Sequence, residues 1–357
     1  MINTNKMKLG IFRQPKTGNH WNNGGTSSST YKMLLYEAGQ YPQVEFKNDV
    51  GNWTNDNRAM NSKYRVYVNP YTGLVTLPFN GVATKDTLHF HLVAALQSVT
   101  QNATSPYRKT IKSGFNTGMV NFANNEGHLF SIAGQIGSGD GFILQNAILS
   151  ELTLSFQRDA EGMARLLNIN GTWVGRNLVQ DQAINNFTNT NFDNNNIFSN
   201  MGSQEGFEIL GMIGDYDLEF QMLKWKKLEL KVTNNINIPF RSVYGWAGNY
   251  AITQSIRFSV QFILDDYTKN VLSKIMRLYQ GAVINIPSNL TILNGYGISV
   301  LGELRIDLQN LLIDTNPIGT ENNYFIGTLE GEVLGGNSAT NEEPIIIYLS
   351  DGQNIGY

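Results

Sequence analysis

The chain has 357 residues, 41% of them hydrophobic and only 15% charged, with a formal net charge of -3 and no cysteine. That length predicts two domains with sizeable cores, and the near-neutral charge argues against a basic stripe for gripping nucleic acid. The absence of cysteine excludes a disulfide framework and a thiolate metal site.

Asn, Gly, Ser and Thr stand where charge is usual. Such a surface suits loops and strand faces, and a subunit buried in an assembly; an Asn-rich genome explains it equally. The first residues have no apolar segment behind them, so no signal peptide is expected. The longest apolar runs, Leu92–Leu96 and Ile345–Leu349, are too short to span a bilayer. The expectation is a soluble protein made in the cytoplasm.

In chain order, Gly10–Thr30 reads as a flexible arm or loop. Tyr31–Glu37, Val44–Lys47 and Tyr64–Val68 are candidate strands. Asn69-Pro-Tyr-Thr-Gly has turn chemistry, and Leu74–Phe79 reads as a short strand ended by a proline. Then the period changes. Thr84 is a candidate cap, and Leu88, Leu92, Ala95, Leu96 and Val99 follow at helical spacing, which predicts an amphipathic helix over Thr84–Val99. A loop is expected over Ser105–Asn125 and a strand near His128–Ile136.

Gly141–Asn177 is the stretch around which the rest is organised. Leu152, Leu154 and Phe156 alternate with Glu151, Thr153, Ser155 and Gln157, the period-two signature of a half-buried strand. Leu167, Ile169 and Trp173 share one parity on a second arm. The short polar Arg158–Gly162 between them predicts a long β-hairpin. Asn177–Asn200 breaks the pattern and reads as a loop. Yet Phe187, Phe192 and Phe198 lie within it, which a purely disordered linker would lack.

The second half repeats the plan. Strands are expected over Leu223–Val232 and Ser255–Leu264, then a helix opened by Asp265 and Asp266 and stopped at Gly281. Strands near Ala282–Ile286, Gly297–Leu312, Tyr324–Leu334 and Pro344–Leu349 close the chain. The reading is mainly β: two tandem β-sandwich units, 1–219 and 220–357, each with one flanking α-helix covering a face or edge of its sandwich.

Chemistry-bearing motifs are scarce. Gly134–Gly141 has the glycines of a phosphate loop, but an apolar strand follows where a helix N-terminus is required. His89 and His91, two apart on a helix, point to different sides and do not readily share a metal; one partly exposed and one partly packed histidine is expected. Asp215, Asp217 and Glu219 alternate as on a solvated strand face, without the turn glycine of a calcium loop. No nucleophile elbow is present. No catalytic, metal or cofactor site is expected.

The order of elements carries a resemblance. Leu88–Val99, then Gly127–Ile136, then Ile148-Leu-Ser-Glu-Leu-Thr-Leu-Ser-Phe and Leu167-Asn-Ile-Asn-Gly-Thr-Trp, resembles the major tail tube proteins of long-tailed bacteriophages. Leu228-Glu-Leu-Lys-Val-Thr-Asn-Asn with Ile256–Leu264 and the helix opened by Asp265 and Asp266 resembles a second such unit. The likeness covers Val82–Asn177 and Leu223–Leu334. It implies β-sandwiches that pair their sheets into a ring. Rings then stack into a tube of the virion tail, through which viral DNA passes without sequence-specific binding. Family members mostly form hexamers of single-unit chains, so two units per chain imply three chains per ring. The implied partners are the chain itself and other tail proteins, with no membrane, no cofactor and no enzymatic activity. Phe187, Phe192 and Phe198 are the candidate contacts between rings. The alternative is a carbohydrate- or receptor-binding β-sandwich at a tail tip; a glycosidase is a third, weaker reading.

Overall fold

The computed structural model describes residues 7–16, 23–37, 41–49, 69–104, 107–113, 119–121, 127–137, 140–157, 167–180, 183–184, 186–188, 206–213, 216–219, 225–237, 241–242, 245–246, 249–264, 285–286, 288–294, 303–308, 311–315, 318–321, 324–334 and 343–350. The chain is mainly β. Its first strands are β1 (Met7–Arg13), β2 (Tyr31–Met33), β3 (Gln43–Asp49) and β4 (Asn69–Val82), followed by helix α1 (Leu88–Leu96). Next come β5 (Gln97–Gln101), β6 (Lys109–Ser113), β7 (Met119–Asn121), β8 (Phe130–Ile136), β9 (Asp140–Gln157), β10 (Asn168–Gly175), β11 (Asn177–Gln180) and β12 (Phe187–Thr188). After these are β13 (Gly206–Ile213), β14 (Tyr216–Glu219), β15 (Trp225–Asn237), β16 (Arg241–Ser242), β17 (Gly245–Trp246) and β18 (Asn249–Ile263). The last are β19 (Asn285–Ile286), β20 (Ser288–Asn294), β21 (Glu303–Leu308), β22 (Leu311–Thr315), β23 (Ile318–Glu321), β24 (Tyr324–Val333) and β25 (Ile345–Ser350).

The hub is β9, 18 residues long. Its return arm is β10 followed by β11, which pair with β9 from Ser155 back to Phe142, so the expected long hairpin is present. The turn residues 158–166 lie outside the described residues. The other flank of β9 is shared. Its first half pairs with β8, and Glu151–Gln157 pairs with β15. The large sheet therefore forks at β9. One branch runs through β8, β1, β2 and β12, the other through β15, β18 and β24 to β22, while β10, β4 and β3 complete the opposite side. The fork lies at a bulge where Asn146 adopts φ 54°, a left-handed conformation that Asn tolerates better than most residues.

A second sheet has the order β14-β13-β20-β21-β25-β6-β5. Strands from before and after residue 219 thus pair directly in both large sheets, through β9 with β15 and through β6 with β25. Alternation sets the faces. Leu304, Ile306 and Leu308 of β21 and Ile345, Ile347 and Leu349 of β25 are buried, in one apolar cluster with Leu152, Leu154, Leu228, Val232 and Phe258 of the large sheet.

Helix α1 packs against β9 and β15 of the large sheet and β5 and β6 of the second. It is shorter than expected. The chain turns through 85–87, and β5 begins at Gln97, so Val99 is buried as a strand residue. The expected amphipathic stripe is also corrected. Every helical residue except Phe90 is buried, because the helix is enclosed between sheets and has no solvated face. The second expected helix, Asp265–Tyr279, lies outside the described residues.

Other local readings change. Asn69–Gly73 and Pro78 do not break the chain: β4 runs through both. Pro78 faces Thr172 on one side. On the other, the pairs with β3 end at Thr76 and the next contact is the Tyr36–Gly81 bridge, so a proline there interrupts no pair of that ladder. Gly10–Arg13 belongs to β1, and the expected loop 105–125 contains β6 and β7. The expected Gly297–Leu312 strand is divided into β21 and the start of β22. Tyr64–Val68 lies outside the described residues.

Candidate functional site

Among the described residues, three interior polar networks position the elements. At the fork, Gln14 Nε2 donates to Asn146 Oδ1 (2.7 Å), while Gln14 Oε1 accepts from the Asn146 backbone N–H (2.8 Å) and Ser131 Oγ (3.0 Å). The Gly25 N–H in turn donates to Ser131 Oγ (2.8 Å). The glycine-rich segment around Gly24 and Gly25, expected to be a flexible arm, is thereby packed on β8 and β9.

At the end of α1, the carbonyls of Val93, Ala94 and Ala95 find donors, as a buried helix end requires. The Gln97 backbone N–H bonds Val93 O, and Gln97 Nε2 bonds Ala94 O (2.7 Å). Ala95 O accepts from Asn234 Nδ2 (2.8 Å) and Gln254 Nε2 (3.2 Å). Asn234 also donates to Leu149 O (2.8 Å), so residues of β15 and β18 cap a helix from the other half of the chain.

The third network joins Trp173, Tyr36, His91 and Thr87. His91 Nδ1 lies 2.9 Å from Thr87 O, and a carbonyl only accepts, so Nδ1 carries the proton. Nε2 is then the acceptor for the Tyr36 hydroxyl at 2.6 Å, and the Tyr36 oxygen accepts from Trp173 Nε1 at 2.9 Å. Burial lowers the His91 pKa to about 4, against the opposing bond to Thr87, and also holds the Tyr36 phenol well above its ordinary value. His89 is buried as well, so the expected partly exposed histidine is corrected. Among the described residues no group of three or more His, Cys, Asp or Glu is placed to hold a metal ion. No helix there is long and apolar enough to cross a membrane. Gly134 and Gly141 stand in adjacent strands, paired with Phe142 and Gln135.

Two surfaces remain. The outward face of the large sheet presents rows of polar residues: Lys231, Arg257 and Glu332 in one, next to the buried Thr153, and Ser155, Glu229, Ser259 and Glu330 in the next. Lys231 pairs with Glu151 (2.8 Å) and Lys227 with Glu229 (2.6 Å), while Ser255 and Ser259 donate to Glu332 and Glu330. Signs are interspersed, so the face is polar without being a cationic groove.

The second surface is the tip of the hairpin formed by β22 and β23 with β24. Ile318, Tyr324 and Phe325 are 49%, 60% and 61% exposed, unusually high for such side chains. Alternation alone puts Phe325 on the buried face with Leu329 and Val333. On the flank of β18 the pairing with β24 ends at Ile326, so Phe325 lies past the last pair on that side, with β23 on the other. The three residues were not singled out from sequence, where the adjacent Asn-Asn pair, a turn-favouring residue type, was the available signal.

Of the three phenylalanines marked as candidate contacts, Phe187 is half-buried, its ring 6.1 Å from that of Tyr31, in the short parallel pair of β12 with β2. Phe192 and Phe198 lie outside the described residues, as do Asp215 and the side chains of Asp217 and Glu219. Asn177–Asn200 is not wholly a loop, since β11 and β12 fall within it.

No protein-family model matches the chain, and no curated protein matches it. What the fold itself defines is a mainly-β protein built on large sheets that run through both halves.

Proposed function

We propose that this chain is a structural tail protein of the virion. In this reading three copies close a ring of pseudo-sixfold symmetry, and stacked rings form the tube that conducts viral DNA. The observation that carries the reading is the join of β9 to β15. There the two halves meet edge to edge over the pairs from Lys227–Gln157 to Thr233–Glu151, making one sheet out of both. A ring of sheets needs that joint repeated from chain to chain, and closure removes edges that would otherwise pair indiscriminately.

The polar face of that sheet is the wall turned to the lumen. Its interspersed Glu151, Glu229, Glu330, Glu332, Lys227, Lys231 and Arg257 suit a conduit, because a purely cationic wall would hold the phosphate backbone rather than let it slide. The two halves act as tandem tube-type units within this shared sheet.

Negative-stain microscopy with mass measurement of isolated rings tests the proposal. Rings or tubes with three chains per layer are expected. Six full-length chains per layer would refute the stoichiometry. A chain that stays monomeric at high concentration and binds glycans would replace the tube reading with the receptor-binding one.

A further inference from the structure

Residues 34–37 form a strap that leaves β2 and lies along the Gly81 end of β4. Leu34 N–H donates to Leu9 O (2.9 Å), Glu37 N–H to Asn80 O (2.7 Å), and Val82 N–H to Leu35 O (3.0 Å), around the isolated Tyr36–Gly81 bridge. The approach is close: a Cβ at Gly81 would stand 2.1 Å from Leu35 O. Leu34 is buried, Leu35 and Tyr36 are half-buried, and Glu37 is exposed. A short surface segment on three backbone bonds opens at lower cost than β9, which is paired on both flanks.

Two side-chain ties hold this part of the chain to α1 and the turn before it, and each uses a titratable group. Lys32 Nζ, two residues before the strap, forms an ion pair with Asp86 Oδ2 (3.2 Å). The Tyr36 hydroxyl donates to His91 Nε2 (2.6 Å). His91 Nδ1 already gives its proton to Thr87 O, so an added proton can go only to Nε2. That turns the acceptor into a donor and expels the Tyr36 hydroxyl proton. The charge so formed is buried. Tyr36, Phe79 and Trp173 face the ring from the strap, β4 and β10, and none of them brings a negative charge. On α1 itself, buried His89 adds repulsion. Among the described residues, the buried side chains of β4, β5, β9, β10 and β15 include no titratable group, β6 contributes the cation Lys109, and His128 precedes β8.

We propose that the 34–37 strap is an acid-released latch: protonation of His91 and Asp86 detaches it from α1 while the sheets around β9 stay folded. The latch is independent of the tube reading. Linkage sets its direction. Closure holds the His91 pKa at about 4, and release returns the ring toward its model value of 6.5, so opening is favoured as pH falls between those values and levels off beyond them. From His91 alone, the open population at pH 5 should be about thirtyfold that at pH 7.5.

Amide hydrogen exchange on the full-length chain tests this, with intrinsic rates corrected for pH. The Glu37 and Val82 amides, bonded across the strap, should lose protection by about thirtyfold between pH 7.5 and pH 5. At each pH they should be less protected than the amides of the β9–β15 ladder. Low urea should speed exchange in that ladder and leave the strap unchanged, the mark of a local opening. His91→Gln should flatten most of the strap's pH dependence, and Asp86→Asn should raise strap exchange already at pH 7.5. The wild-type measurements decide by themselves if a variant does not fold. Strap amides as protected as the β9–β15 ladder, strap exchange that responds to urea as the ladder does, or protection independent of pH would each overturn the latch. So would a wild-type pH profile in His91→Gln. Wild-type strap protection in Asp86→Asn would remove the Lys32–Asp86 tie from it.

Discussion

The Tyr36 hydroxyl lies 2.6 Å from His91 Nε2 and, with Trp173 Nε1 at 2.9 Å, has its proton direction fixed by the Thr87 carbonyl at the far end of the chain of bonds. Tyr36→Phe keeps the ring that stacks on Phe79 but leaves the Trp173 N–H and His91 Nε2 buried without that oxygen. The expected loss is about 2–6 kcal/mol, at roughly 1–3 kcal/mol for each of the two stranded buried groups. Urea unfolding of the unassembled subunit checks it; a change within experimental error would show that the bonds contribute nothing net.

The same histidine makes stability depend on pH in a defined window. Its pKa falls from 6.5 in the unfolded chain to about 4 in the folded one. Between those values the unfolded chain binds a proton that folded His91 refuses, so stability falls as pH drops from 6.5 to 4 and is flat in this respect above and below. The contribution amounts to about 3 kcal/mol, at about 1.4 kcal/mol per pH unit. Urea melts across pH 4–7 on wild type and His91→Gln should show this slope in the difference curve. Parallel curves would exclude a depressed His91 pKa.

Asn234→Ala removes donors to Ala95 O and Leu149 O, and should cost about 1–3 kcal/mol because both carbonyls are buried. Gln254→Ala should cost less, since its bond to Ala95 O is longer at 3.2 Å. Gln254 also donates to Asn234 Oδ1 (2.9 Å), so the double variant should depart from additivity. Strict additivity in thermal melts would mean the two side chains act separately.

Part of the segment 177–200 is packed. Ile184 is buried and its N–H donates to Gln135 Oε1 (2.8 Å), so Ile184→Ala should destabilise the unassembled subunit by about 2–4 kcal/mol. Replacing Asn177–Thr188 with a Gly-Ser linker should lower its melting temperature too, because β11, Ile184 and β12 go with it. An unchanged melting temperature in thermal melts of either variant would contradict the packing of this segment.

Much of the fold was legible in the residue order. The hairpin of β9 with β10, the strands β15, β18 and β24, and the identity of their buried faces all follow from period-two alternation, since Leu152, Leu154, Leu228, Leu230 and Phe258 are fixed to one side by the pleat. The helix was legible but its end was not. Leu96 to Val99 continues the apolar spacing of a helix, and only the left-handed turn at Gln97, held by Gln97 Nε2 on Ala94 O and by its Oε1 on the His128 N–H, directs Val99 into β5.

The sequence by itself determined the strongly alternating strands, β9, β10, β15, β18 and β24, and which of their side chains share a face, because that depends on neighbours one or two residues away; β1, β5, β6 and β7, which lack such alternation, were read otherwise. Tertiary structure decided which strands meet. Every strand edge offers the same row of N–H and C=O groups, so nothing local distinguishes β15 as the partner of β9, or β25 as the partner of β6. It also decided burial where the pattern was silent. His89 and His91 are enclosed because sheets lie on both sides of α1, and Phe325 is exposed, past the last pair of β24 with β18.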